Sequence, residues 1–504
     1  MNRNLTICFT SDLHGYFSDM DYAQGKPGTT GLACCASTFP DDGNTLILDG
    51  GDTLQGSPFA YWLNRNSVEG AKVSAKAMSL AGYDFITIGN HDFNYGKETL
   101  ETYLKNIDAR CVNANVEGVS GVERTAVVTM QNGLRVGITG VTTHFVNLWE
   151  KPENLVGIKV NEAFTAAAAA LEELKKENVD LTICIYHGGF ESDVVTGETH
   201  STTGENQAYR ICKELGFDIL LTGHQHQPKA NLEIYGTHAC QAPDRGKQSV
   251  RVDVSVAEDG EVSISSRMVD PAEPDADMAA YLAPLDAENA IFLDQPVGQL
   301  DIPLEPGDHM DMAVNGSVIA NFFNQVQLEA SGADLSVTSL GNVVKGFNQQ
   351  VTIRDVVATY VFPNTLQTLR VDRKVLKAAL ERSAEYFDLD ENGQLRVGQS
   401  FLIPIIQHYN FDYMAGLEVT VDVHRPVGDR VISMLYQGQE LEEDRQLTLC
   451  LNNYRATGTG GYPLYAECEM VKDQQTEVAQ MIIEYIDNHK SVTVDQTKWL
   501  KVLY

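Results

Sequence analysis

The stretch "LLTGHQHQPK", residues 220–229, places His224 and His226 one residue apart at the end of an apolar run, with Gly223 in front of them. A lone histidine at a strand end is ordinarily structural or solvent-facing. Two of the chain's twelve histidines in one turn raise the question of partners. Four other short apolar runs rich in β-branched residues end in similar clusters. They are "LTICFT" before Ser11-Asp12-Leu13-His14, "TLIL" before Asp49-Gly50-Gly51-Asp52, "FITI" before Gly89-Asn90-His91, and "LTICIY" before His187-Gly188-Gly189. A longer stretch of helical periodicity tends to follow each run, so the first half reads as α/β. In layered α/β sheets the carboxyl ends of strands converge on one crevice above a rigid platform. Five strand ends carrying Asp, Asn and His therefore point at a single site, and the glycines beside them are expected to supply the positive φ that tight turns need.

The candidate ligands are Asp12, His14, Asp52, Asn90, His187, His224 and His226: four imidazoles and three oxygen donors. One tetrahedral ion takes about four ligands. Seven, with one carboxylate shared, suit two ions about 3.5–4 Å apart, the arrangement used for in-line phosphoryl displacement. A nitrogen and oxygen set without thiolate favours manganese, iron, cobalt or zinc over magnesium.

Composition narrows the field. At 504 residues the chain exceeds what one hydrophobic core usually supports, so two domains or more are expected. Its net charge of −32 disfavours long nucleic acid, whose binding is driven by lysine and arginine, while leaving small anions open. No run approaches the roughly 20 apolar residues that span a bilayer. The alanine-rich "AFTAAAAALEEL", residues 163–174, reads as a packed helix. The start "MNRNLTICFTSDLHG" enters a strand at once, without the regions of a signal peptide. Nine cysteines, an odd number without a CxxC pair, fit a reducing compartment. The expectation is a cytoplasmic protein with no membrane segment.

The order DxH, GD, GNH, H and GHxH resembles the calcineurin-like metallophosphoesterase superfamily. The resemblance implies a four-layer α/β/β/α domain and two divalent ions. Asp12, His14 and His226 would hold one, Asn90, His187 and His224 the other, and Asp52 would bridge. His91 would contact the substrate phosphate and assist the leaving oxygen. A hydroxide held between the ions would attack phosphorus in line.

Near residue 270 the texture changes to Pro, Asp and Glu, with helical periodicity over Asp275–Leu293. The expected organisation is a catalytic domain over 1–268, a linker with one helix over 269–303, and a second domain over 304–504. That second domain mixes helix-like stretches ("SVIANFFNQVQLEA", "RKVLKAALERSAEYF") with period-two strands ("LEVTVDV", "QLTLCLN"), an α+β pattern.

The pieces "YVFPNTLQTLRV", "HYNFDYMAGLEVTVDV" and "LNNYRATGTGGYP" resemble the C-terminal domain of the 5′-nucleotidase family, and within it the bacterial 2′,3′-cyclic-nucleotide 2′-phosphodiesterase/3′-nucleotidases. Two aromatic rings of this domain clamp the base in that family, which implies Tyr454 and Tyr409 here, with Phe411 as rival to Tyr409. The implied partner is a small nucleotide. Members specific for 5′-phosphates carry GNHEFD, where the final Asp partners the catalytic His; this chain has Asn94 in "GNHDFNYG". An amide orients His91 but brings no negative charge. Gly460 replaces a ribose-holding Asp, and "TSLGNVVKG" stands where an arginine-bearing "GGIR" is expected. All three departures imply hydrolysis of 2′,3′-cyclic nucleotides and 3′-nucleotides. The alternatives are a 5′-nucleotidase/UDP-sugar hydrolase or a phosphatase for another small phosphate ester.

Overall fold

A computed structural model describes residues 3–199, 204–258, 260–360, 364–403, 406–474 and 476–504. The chain divides into two compact units, Met1–Phe292 and Leu293–Tyr504. Val361–Pro363, within the motif "YVFPNTLQTLRV", lie outside the described residues.

The first unit is built on two sheets. In the seven-stranded sheet, strand Arg3–Thr10 pairs in parallel with Thr45–Asp49, which pairs in parallel with Phe85–Ile86. The register sets Thr10 opposite Asp49 and Asp49 opposite Ile86, so three of the ligand-bearing loops leave the sheet side by side. In the six-stranded sheet, Leu181–His187 pairs in parallel with both Arg135–Thr142 and Ile219–Thr222, which aligns the other two loops. Inward side chains of both sheets (Ile7, Phe9, Leu48, Ile183, Ile185, Leu221) form one buried cluster between them. Strands buried on both faces read as continuous apolar runs, which is how they appear in the sequence.

The outer face of the second sheet is covered by helix Ala163–Lys175. Its buried Ala163, Ala167, Ala170, Leu171 and Leu174 follow a 3.6-residue period and pack with Cys184, Tyr186 and Leu220. Alanines on that face let the helix approach the sheet closely. Together these elements form a layered α/β unit, with two sheets face to face and a helix on the outer face of the second.

The helix expected between the domains spans Ala276–Leu293 and packs on the first unit: Met278 and Leu282 are buried, Ser18 donates to Asp286, and Tyr61 meets Phe292. The second unit is α+β. A five-stranded sheet orders Asp412–Ala415, Leu335–Ser339, Leu447–Asn452, Leu366–Val371 and Met470–Gln474, and helices Val318–Ser331 and Arg373–Ala384 belong to the same unit. Among the described residues, no helix is long and apolar enough to cross a membrane.

Candidate metal centre

The loops after the five strands bring Asp12, His14, Asp52, Asn90, His187 and His226 together, whereas His224 turns Nε2 to Glu205 and joins neither group of ligand atoms among them. His14 Nε2 lies 3.2 Å from His226 Nε2, and His226 Nε2 is 3.3 Å from Asp12 Oδ1. On the other side His187 Nε2 is 3.0 Å from Asn90 Oδ1 and 3.2 Å from Asp52 Oδ2. Two groups of ligand atoms, each within 4.8 Å of one another, result: Asp12, His14 and His226, and Asp12, Asp52 and His187. Asp12 is common to both. Asp52 has one oxygen committed, since Oδ1 accepts from the His91 N–H at 2.7 Å. Its position is nonetheless central: burial pushes its carboxyl up, but His187, His91 and His14 outweigh that and hold it well below the usual range.

The histidines are held from behind. His14 Nδ1–H donates to the Gln55 carbonyl (2.8 Å) and His187 Nδ1–H to the Gly50 carbonyl (2.7 Å), which turns the Nε2 lone pairs into the site. Glu205, which no sequence pattern marks, accepts from His224 Nε2 at 3.0 Å and leaves Nδ1 as the basic nitrogen of that ring. Asp92 Oδ1 accepts from the N–H groups of Thr53 and Leu54, and Oδ2 from those of Asp52 and Gly89, tying two ligand loops together. Buried lone pairs and carboxylates converging without apolar cover between them fit divalent cations.

The backbone departs from the expected division of labour. Asp12, His14, Asp52, His224 and His226 all have φ between 50° and 67°, five of the eleven non-glycine residues with positive φ among those described. Gly51 (φ 91°) beside Asp52 and Gly15 (φ 73°) beside His14 supply positive φ as expected, but strain of about 1–3 kcal/mol for each non-glycine residue also falls on the candidate ligands themselves. Two adjacent glycines serve instead by leaving room: a Cβ on Gly223 would lie 2.5 Å from Asp12 Oδ2, and one on Gly89 would lie 2.1 Å from Asp52 Oδ1.

His91, 7% exposed, sits beside this cluster with its ring centroid 5.4 Å from that of His14, and its Nδ1 is 2.8 Å from Asn94 Oδ1. In the second unit Tyr454 is 41% exposed, and burial followed by the nearby Tyr409 hydroxyl pushes its phenol up. Arg455 is buried beneath both: it donates to Asp412 (3.0 Å), to the Thr459 carbonyl (2.6 Å) and to the Tyr409 carbonyl (3.1 Å). Phe411 is a correction. It is 2% exposed and packs against Tyr386, Phe387 and Tyr413 in the core, so it presents no ring face to a ligand.

A paired β-sandwich with a histidine and carboxylate cluster across adjoining strand ends defines a metallophosphoesterase. Residues 5–228 match the calcineurin-like phosphoesterase domain and residues 296–467 the C-terminal domain of 5′-nucleotidases. A crystal structure of a Staphylococcus aureus protein assigned as a 5′-nucleotidase, in complex with α-ketoglutarate, is 32% identical with a TM-score of 0.71, and each chain is covered in full. The 2′,3′-cyclic-nucleotide 2′-phosphodiesterase/3′-nucleotidase of Yersinia enterocolitica is 26% identical over 91% of this chain and 82% of its own. The trifunctional nucleotide phosphoesterase YfkN of Bacillus subtilis is 25% identical over 97% of this chain, which spans only 38% of that larger protein. The chain belongs to the 5′-nucleotidase family of calcineurin-like metallophosphoesterases and is a phosphoric ester hydrolase.

Proposed function

We propose that this enzyme hydrolyses 2′,3′-cyclic nucleotides and 3′-nucleotides in preference to 5′-nucleotides. The observation that carries the reading is the amide partner of His91: Asn94 Oδ1, at 2.8 Å, occupies the place of the carboxylate that 5′-specific members carry. Gly460 supports it, because a Cβ there would lie 2.1 Å from Arg455 Nη1, leaving no space for a ribose-holding Asp. The names of the Yersinia and Haemophilus relatives, of which this chain covers 82% and 84%, point the same way.

In this reading Asp12, His14 and His226 would hold one divalent ion, Asn90, His187 and His224 the other, and Asp52 would be shared between them. Manganese, iron, cobalt or zinc suits the donors. Such a pair, when bound, supplies the nucleophile and neutralises charge on the phosphoryl oxygens. The chain's own groups do the rest. The carbonyls of Gln55 and Gly50 fix the tautomers of two ligand rings. Asn94 accepts from His91 Nδ1–H, which leaves Nε2 as the edge that meets the leaving oxygen. Tyr454 and Tyr409 stack the base, a mode tolerant of base identity. All nine cysteines are free and eight are buried, which supports a reducing cytoplasmic setting.

Phosphate release by malachite green over a panel of nucleotides, with manganese and then with chelator, tests the reading. Metal-dependent release from 3′-AMP supports it. Release unaffected by chelator contradicts it.

A further inference from the structure

The amide of Asn94 does not end the hydrogen-bond chain behind His91. Asn94 Nδ2 donates to Glu150 Oε2 at 2.5 Å, and an ionised carboxylate offers only acceptors. The amide orientation is thereby fixed: Nδ2 faces Glu150, Oδ1 faces the ring, and His91 Nδ1 must carry the proton. Glu150 is itself held, since Oε1 accepts from the Lys151 N–H (2.6 Å) and from Asn154 Nδ2 (2.9 Å). The same Asn154 amide donates to the Asn94 carbonyl at 2.8 Å, so one short segment grips Asn94 by side chain and backbone.

We infer that Glu150 is a positioning residue for His91, acting through Asn94, and that the His91–Asn94–Glu150 chain replaces a direct His–Asp pair. The inference rests on the role proposed for His91. Without Glu150 the Asn94 amide is free to turn over and present Nδ2 to the ring, which would occupy the Nδ1 lone pair and oppose the doubly protonated ring that gives a proton at Nε2 and ends as the neutral Nδ1–H tautomer. The chain also explains why an Asp at position 94 does not suit this protein. Asn94→Asp would set two carboxylates against each other at the distance the amide now spans, and like charges that close destabilise the arrangement.

The test uses the full-length protein and p-nitrophenyl phosphate, which needs no base contact. Glu150→Ala is expected to lower kcat by about tenfold or more, as loss of an outer-shell partner does, with KM and bound metal little changed. Glu150→Gln, whose amide oxygen still accepts from Asn94, should restore part of the loss. Asn94→Asp should be more damaging than Glu150→Gln, and the double variant Asn94→Asp/Glu150→Gln should recover activity over Asn94→Asp alone. In chelated protein, nitrogen-15 correlation spectra should show His91 as the Nδ1–H tautomer in wild type and a mixture in Glu150→Ala. Unchanged kcat and tautomer in Glu150→Ala, with His91→Ala inactive, would overturn the role of Glu150 and leave that of His91 standing. An active His91→Ala variant would overturn both. A double variant no better than Asn94→Asp would also refute the inference.

Discussion

His14 Nε2 and His226 Nε2 approach to 3.2 Å, with Asp12 Oδ1 3.3 Å from the second of them. Two ring nitrogens so close, with a buried carboxylate beside them, form a ready site for a divalent cation. Metal loading should therefore raise the melting temperature and chelation lower it, because an ion that binds only the folded chain stabilises it by mass action. Asp52→Ala should remove both ions, since His14 of one group and His187 of the other both act on that carboxylate. Elemental analysis checks this. Full occupancy in the Asp52 variant would assign the shared role to Asp12, which belongs to both groups of ligand atoms.

His91→Ala should retain both ions and lose about 10²–10⁴ in turnover, the share of one acid/base group. The two quantities separate the roles: loss of metal together with turnover would make His91 a ligand. Steady-state kinetics beside elemental analysis on one preparation give the answer.

Tyr454→Ala should weaken nucleotide hydrolysis by about 1–3 kcal/mol in kcat/KM, the worth of one stacked base. Hydrolysis of p-nitrophenyl phosphate, which has no nucleobase, should barely change. Equal damage to both substrates would mean that the ring, 41% exposed, serves packing instead.

Asp49 gives a pH signature. Its carboxylate accepts from Thr10 Oγ1 (2.7 Å) and the Gly51 N–H (2.9 Å) in full burial, which pushes the carboxyl up to about 8. In the unfolded chain it titrates near the ordinary value of about 4. Between those values the folded state keeps a proton that the unfolded state has released. The stabilisation is thus complete below about pH 4 and is lost as pH rises towards 8. In chelated protein, melting temperatures of wild type and Asp49→Asn should diverge across that window, the variant gaining relative stability as pH rises. A pH-independent difference between them would refute the assignment.

The cluster was legible because its residues follow strands whose apolar runs stand out, so that position in the sequence is also position in space. Asp12, His14, Asp52, Asn90, His187 and His226 lie close together for that reason, and His224, on the same loop as His226, turns Nε2 to Glu205 instead. Glu150 and Glu205 were not legible. They reach Asn94 and His224 across 56 and 19 residues from loops with no periodic pattern, and a lone Glu looks like any solvated charge. Phe411 misled for a related reason: "HYNF" offers two aromatic residues, and only the fold shows that the turn His408–Asn410 sends Phe411 into the core. Strand ligands with positive φ were also hidden, because glycine is the residue from which such backbone is normally inferred.

Which phosphate the enzyme cuts is decided by kcat/KM for 2′,3′-cyclic AMP, 3′-AMP and 5′-AMP under one metal condition. The first two should exceed 5′-AMP by at least about tenfold, a difference of about 1.4 kcal/mol in transition-state stabilisation. A clear lead for 5′-AMP would contradict this order, and would show that Asn94 and Gly460 do not set the preference.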